Sequence, residues 1–237
     1  MIKITVDENN KGNVPSNGKI VFNPNISLKP ESIAKCVEFA GIMAYGEGFH
    51  NPNSFGANTN CRKEKEIFKN TLQGKIAELA FYNYMAKAGF KPDAIPDFGV
   101  WGKGKWEDCD FTFKNGAINV SIKSTKHFGN LLLLEKDRYN ENGEYLEAVE
   151  KSQPIKHHYI FMIRVKGVEK DNPAEYLAPY ENISVEVTGY ITNDCFKKLI
   201  HQNQLIKKGL IIGIPMIVDN YYTCSSDLLR PEAFKMK

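Results

Sequence analysis

Residues 110–123, DFTFKNGAINVSIK, decide the fold. Two runs that alternate between apolar and polar residues flank Asn115-Gly116. That dipeptide is a strong signal for a two-residue hairpin turn, because both positions tolerate the positive φ the turn demands. Pairing across the turn sets Lys114 opposite Ala117, Phe113 opposite Ile118, Phe111 opposite Val120 and Asp110 opposite Ser121. Strand side chains alternate between the two faces of a sheet. Phe111, Phe113, Ile118, Val120 and Ile122 therefore share one face, which reads as core, and Asp110, Thr112, Asn119, Ser121 and Lys123 share the other. Lys123 sits diagonally from Asp110, roughly 7–8 Å away backbone to backbone, within reach of a long side chain.

Outward from the hairpin, the patterns switch between helical and extended. Residues 31–45 predict a helix, and residues 46–60 read as loop by every local criterion. A long helix is expected from about Arg62 to Ala88, stopped at Gly89. Pro92, Pro96 and several glycines keep 89–107 irregular. After the hairpin, LLLLEKDRY (131–139) reads as a further strand or a buried segment. Residues 158–166 and 184–191 are strand candidates, and 192–202 form a short helix capped by Thr192 or Asn193. LIIGIPMIVDNYY (210–222) reads as one final apolar strand. Residues 3–22 read as short strands around a turn-rich stretch. One mixed α/β domain spanning 1–237, with a central mixed β-sheet flanked by helices, accounts for this order.

Composition narrows the class further. A chain of 237 residues is long enough to bury a substantial core, and its net charge of +3 does not by itself announce a nucleic-acid partner. Cys36, Cys61, Cys109, Cys195 and Cys224 are odd in number and none has metal-ligand spacing, so reduced thiols in a cytoplasmic protein are expected. The N-terminus lacks the apolar run of a signal peptide, and no stretch approaches the roughly 20 apolar residues of a membrane span, so no membrane partner is expected.

A carboxylate and a lysine on one face of a rigid hairpin make a chemically useful pair. Magnesium takes oxygen ligands and keeps several waters. A lysine beside it can orient or deprotonate an attacking water, or stabilise charge on a phosphate, which is the metal-assisted route to cleaving a phosphodiester. Taken alone, such a pair is also what a solvated surface presents. The long helix adds Glu78, which falls about 20° around the helix from Met85 and about 60° from Phe81. A carboxylate near such an apolar face needs a partner or a cation; Lys75, Tyr82 and a metal are the choices.

GKIAELAFYNYM (74–85) followed by EDCDFTFKNGAINVSIKSTKH (107–127) resembles the PD-(D/E)xK nuclease superfamily, and within it the type II restriction endonucleases. The resemblance covers about a fifth of the chain. It implies a restriction-endonuclease-like α/β fold and Mg²⁺-dependent hydrolysis of double-stranded DNA at a specific site, with a homodimer matching a palindromic sequence. On it, Glu78 is the helix acid, Asp110 the metal-binding aspartate and Lys123 the lysine of the acid-x-lysine motif. Ser121 stands where that motif has its acid, and a serine is no charged metal ligand. The resemblance then implies a glutamate from elsewhere, either Glu135, twelve residues beyond Lys123, or Glu78. Ser121 equally fits a DNA-binding module with a degenerate site. A repair, junction-resolving or RNA-directed nuclease of the same superfamily is a further alternative.

Ser124, Thr125, Lys126 and His127 follow the catalytic strand and are candidates for binding the DNA backbone next to the scissile phosphate. Asp97 and Asp108 are rivals to Asp110, Asp108 the closer because it lies on the same side by alternation. Residues 99–108 read as a loop near the substrate, without the spacing of a phosphate-binding P-loop. His157-His158 reads as structural, and no arrangement points to covalent catalysis.

Overall fold

The computed structural model describes residues 1–46, 63–99, 109–146 and 153–236. In chain order these form β1 (Thr5–Val6), β2 (Gly12–Asn13), α1 (Pro30–Tyr45), α2 (Glu64–Lys87), β3 (Phe111–Phe113), β4 (Ile118–Lys126) and β5 (Leu131–Glu135). There follow β6 (Glu144–Tyr145), β7 (Ile155–Lys156), β8 (Tyr159–Lys166), β9 (Ser184–Thr192), α3 (Asn193–His201), β10 (Leu205–Ile206), β11 (Ile211–Ile212), β12 (Ile214–Pro215) and β13 (Asn220–Cys224). The class is mixed α/β.

The hairpin forms in the register that its alternation predicts, with Phe111 opposite Val120 and Phe113 opposite Ile118. Asn115 and Gly116 take φ of 58° and 81°, the left-handed values the turn needs. The Asp93 carboxylate clamps this turn from outside, accepting the Asn115 and Gly116 backbone N–H groups at 3.1 and 2.8 Å. α2 ends where a glycine in the left-handed region follows it, Gly89 at φ 85°. Glu64 and Glu66 in its first turn and Lys87 in its last complement the helix dipole.

Strands β3-β4-β8-β9 make one mixed sheet in that order, with β4 and β8 parallel and the other two pairs antiparallel. A second sheet, β10-β13-β5, is antiparallel. Alternation along β8 divides the core. Phe161, Ile163 and Val165 face α1 and α2 in the larger cluster, where Phe81 of α2 meets Phe111 and Phe161 at ring separations of 5.1 and 4.9 Å. Ile160 and Met162 face the other way, against Leu132 and Leu134 of β5, Tyr221 of β13 and Phe196 and Leu199 of α3. A strand apolar on both faces is what an interior strand of a covered sheet requires.

Two expectations change. The four-stranded sheet has helices on both faces, but unequally: α1 and α2 cover one, while the other takes the short α3 together with a second sheet in place of one central sheet. The apolar run 210–222 is not one strand. Gly213, at φ 73°, turns β11 back onto β12, and only Asn220–Cys224 enters the second sheet.

The far end of the sheet is held by a buried ion pair. Arg164, 1% exposed, donates from Nε to Glu186 at 2.7 Å and from Nη1 and Nη2 to the Ile20 and Val21 carbonyls at 2.8 and 3.1 Å, pinning the N-terminal segment to β8. Burial holds the Glu186 carboxyl above its ordinary value even with Arg164 beside it.

Candidate functional site

Asp110 stands one residue before β3, and its Oδ2 accepts the Ile122 backbone N–H at 2.6 Å. The carboxylate thus takes a backbone partner just past the end of β3, which fixes its position beside β4. Ser121 lies opposite Asp110 and is 2% exposed. In the parallel ladder, Ser121 pairs with Ile160 and Lys123 with Met162, the two residues of β8 that face the second layer. The face carrying Asp110, Ser121 and Lys123 is therefore not simply open to water. It abuts the layer built on β5 and α3. Lys123 is partly buried and makes no ion pair among the described residues.

The two glutamate candidates fall on opposite sides of the sheet. Glu78 is on α2, which packs against the face of Phe111 and Phe161. Its carboxylate accepts from Lys75 Nζ at 2.6 Å, and Lys75 in turn sits 5.3 Å over the Phe39 ring of α1 and 5.9 Å over Phe98. The Cys36 thiol of α1, pushed up to about 12 chiefly by burial, also feels the Glu78 charge. Glu78 is an ion-paired residue between α1 and α2, and the structure does not bring it to the Lys123 face.

Glu135 ends β5, whose Leu132 and Leu134 pack on the Lys123 side of the sheet; by strand alternation Glu135 itself falls with Leu131 and Leu133. It is 7% exposed; Oε2 accepts from Arg138 Nε at 2.5 Å, and Oε1 is buried with no hydrogen-bond partner. Arg138 also donates to the Tyr145 hydroxyl at 3.5 Å. Next to it, Tyr139 packs its ring on Phe196 at 4.9 Å, and its hydroxyl is buried without a partner. Burial is the main cause that pushes the Tyr139 phenol up, and the charges of both Asp110 and Glu135 reach it. Besides Glu135, LLLLEKDRY carries Arg138 and Tyr139 on the turn that ends β5; their signal is a run of four charged residues following four leucines.

The four residues after Lys123 separate. Ser124 turns to the helix side, where its Oγ accepts from Gln73 Nε2 at 3.1 Å. Thr125 follows Lys123 by strand alternation and lies against the Gly129 turn. Lys126 is exposed. His127 lies edge-on to Phe22 and Phe128 at 5.7 and 5.2 Å, with Nδ1 buried and without a partner. Asp97 bonds within its own loop, accepting the Gly99 N–H at 2.7 Å. Asp108, with residues 100–107, lies outside the described residues. His157 stacks on Tyr145, and His158 Nδ1 accepts the Asn119 N–H at 3.1 Å, which ties the start of β8 to β4.

No group of three or more His, Cys, Asp or Glu side chains that could hold a metal occurs among the described residues. No helix among them is long and apolar enough to cross a membrane. Compared with family models, curated proteins and solved structures, the chain matches none. What the protein does is therefore argued from the geometry of its residues.

Proposed function

We propose that this protein is a Mg²⁺-dependent endonuclease of the type II restriction kind, cutting double-stranded DNA. The observation that carries the proposal is Asp110 and Lys123 on one face of a hairpin whose other face is buried core, with the acid tied to the backbone between them and the lysine unpaired among the described residues.

The residues fit the metal. Mg²⁺ is commonly held by one or two carboxylates with waters and substrate phosphates filling the rest. Asp110 offers Oδ1, since Oδ2 accepts from Ile122. Glu135 offers a buried Oε1 that has no partner, the kind of unsatisfied atom a cation or water would complete. Glu135 is preferred to Glu78 as the acid that compensates for Ser121. Bound there, the metal would supply Lewis-acid polarisation of a phosphate oxygen and acidify a water. The Lys123 ammonium would orient that water or balance the charge that grows on the phosphate. Ser121, buried beside them, would hold a water by its hydroxyl, and Thr125 and Lys126 would bind the flanking backbone. A twofold dimer would present two such centres to a palindromic site.

The test is digestion of plasmid and phage DNA with and without Mg²⁺, with sequencing of the ends. Discrete fragments support the proposal; a smear, or cutting only of branched or RNA substrates, redirects it to another nuclease of the superfamily. A second reading, a DNA-binding module with a degenerate centre, is favoured by Ser121 and by the lack of a three-acid cluster among the described residues. It predicts DNA binding without cutting in any divalent metal.

A further inference from the structure

A cleft of about 530 Å³ opens where β8 begins and β9 ends, away from the hairpin centre. Its polar lining comes from Lys156, His158, Thr192, Asn193, Asp194 and Lys235. Volumes of ~300–1,000 Å³ are those of small-molecule sites. It meets β4 at Asn119, four residues before Lys123, hence about 13 Å along the strand.

The cleft has two chemically distinct groups. Lys156, Lys235 and His158 are donors. His158 Nδ1 accepts the Asn119 backbone N–H at 3.1 Å, and the His158 and Asn119 backbones also bond, N–H to carbonyl, at 2.8 Å. An imidazole whose Nδ1 accepts must carry its proton on Nε2. Burial, with the Lys156 charge, holds His158 below its ordinary value, so it stays a neutral donor. Lys235 is fixed in place rather than trailing. Its neighbour Phe234 is 6% exposed and packs on Tyr159 at 4.9 Å, and its own carbonyl accepts from the Tyr159 hydroxyl at 3.4 Å.

The other group accepts. Asp194 has no ion pair among the described residues. Asn193, 3% exposed, is turned inward, where its Nδ2 donates to the Gly143 carbonyl at 3.1 Å. Two ammonium groups and an imidazole N–H suit a doubly charged anion, and the carboxylate suits hydroxyl or amino groups on the same molecule.

From these juxtaposed groups we infer that the cleft binds a nucleoside monophosphate, its phosphate on Lys156, Lys235 and His158 and its sugar or base donors on Asp194. The inference stands apart from the nuclease proposal, because neither Asp110 nor Lys123 takes part.

Calorimetric titration of the full chain with deoxyadenosine monophosphate, inorganic phosphate and deoxyadenosine tests it. The monophosphate should saturate, phosphate should bind more weakly and compete with it, and the nucleoside should not bind. Lys156→Ala with Lys235→Ala should weaken the monophosphate at least about tenfold, with the thermal melt unchanged. Asp194→Asn should weaken the monophosphate and leave phosphate untouched. The His158 Nε2–H resonance should shift on binding. Failure of the monophosphate to saturate at millimolar concentration overturns the inference. So does binding that survives the double substitution, or binding that Lys123→Ala removes, which would put the ligand in the hairpin centre instead.

Discussion

The Asp110 carboxylate accepts the backbone N–H of Ile122 at 2.6 Å, so the acid is hydrogen-bonded to the residue immediately before Lys123. That bond gives Asp110 a structural role beside its proposed chemical one, and the two can be separated. Asp110→Asn keeps an oxygen that can accept from Ile122, whereas Asp110→Ala leaves the N–H without this partner. The alanine variant should lose about 1 kcal/mol of stability in urea unfolding, and the asparagine variant much less. Both should lose Mg²⁺-dependent cleavage and calorimetric Mg²⁺ or Mn²⁺ binding. An asparagine variant that cuts at the wild-type rate removes Asp110 from the metal site.

Lys123 is the cleanest test of the hairpin, because no ion pair among the described residues is broken when it is removed. Lys123→Ala should lower the cleavage rate by about 100-fold or more, the usual scale for a proton-transfer group. Binding of uncut DNA in a gel-shift assay should change little, and the melt should stay within about 0.5 kcal/mol of wild type. Cutting at the wild-type rate would show that the hairpin is not the centre.

The two glutamates make opposite predictions. Glu135→Gln should abolish cleavage or shift its Mg²⁺ requirement strongly upward, because it neutralises the buried Oε1 proposed to meet the metal. Glu78→Gln should leave cleavage nearly intact and instead cost about 1–2 kcal/mol, since Lys75 loses its partner in a half-buried setting. If Glu78→Gln is the variant that loses activity, the assignment of the second acid reverses.

The hairpin could be read from sequence because its information is local. The alternation, the Asn115-Gly116 turn and the register from Asp110 to Lys123 all lie within fourteen residues, and the turn takes the φ values those residues favour. The C-terminal end of α2 is legible for the same reason, since Gly89 alone supplies the stop; the expected start at Arg62 lies outside the described residues. What lay on the far side of Lys123 was not. Whether Glu78 or Glu135 approaches Asp110 depends on which element covers which face of the sheet, and that is set by long-range packing of Ile160 and Met162 on Leu132 and Leu134. A helical wheel places Glu78 relative to Phe81 but says nothing about which side of the sheet Phe81 occupies. Sequence adjacency groups Ser124 with Lys126 and His127, whereas strand alternation turns its hydroxyl to Gln73 of α2. The strand predicted over 210–222 failed at Gly213, where an apolar composition hid a turn.

Asp171 gives a pH test free of the candidate site. Hydrogen bonds from Lys69 and Lys65, at 2.7 and 3.2 Å, hold its carboxyl below the ordinary value. A carboxyl depressed in the folded state stabilises above its unfolded value, and that contribution disappears as pH falls through the folded value. Thermal melts of wild type and Asp171→Asn should therefore differ at neutral pH and converge below about pH 4. The gap should also shrink in high salt, because these charges are solvent-exposed. A gap that persists at low pH would assign the effect to packing instead of charge.

The Arg164–Glu186 pair should show strong non-additivity. Arg164→Met removes the one ion pair that Glu186 makes among the described residues while the carboxyl stays 5% exposed, and breaking a buried pair this way costs about 3–5 kcal/mol. Glu186→Leu leaves the guanidinium with the Ile20 and Val21 carbonyls, so it should cost less. The double variant Arg164→Met with Glu186→Leu should be more stable than Arg164→Met alone, because no isolated charge remains. It should not reach wild type, since the two carbonyls of the N-terminal segment lose their donor. pH separates charge from shape in the single variant. Without Arg164, the Glu186 carboxyl rises further above its unfolded value of about 4.3, the folded state binds more protons, and stability increases as pH falls. The deficit of Arg164→Met in urea unfolding should therefore be largest near neutrality and shrink toward pH ~5. A deficit that is constant with pH would mean that the loss comes from the carbonyls of Ile20 and Val21 and not from the buried carboxylate.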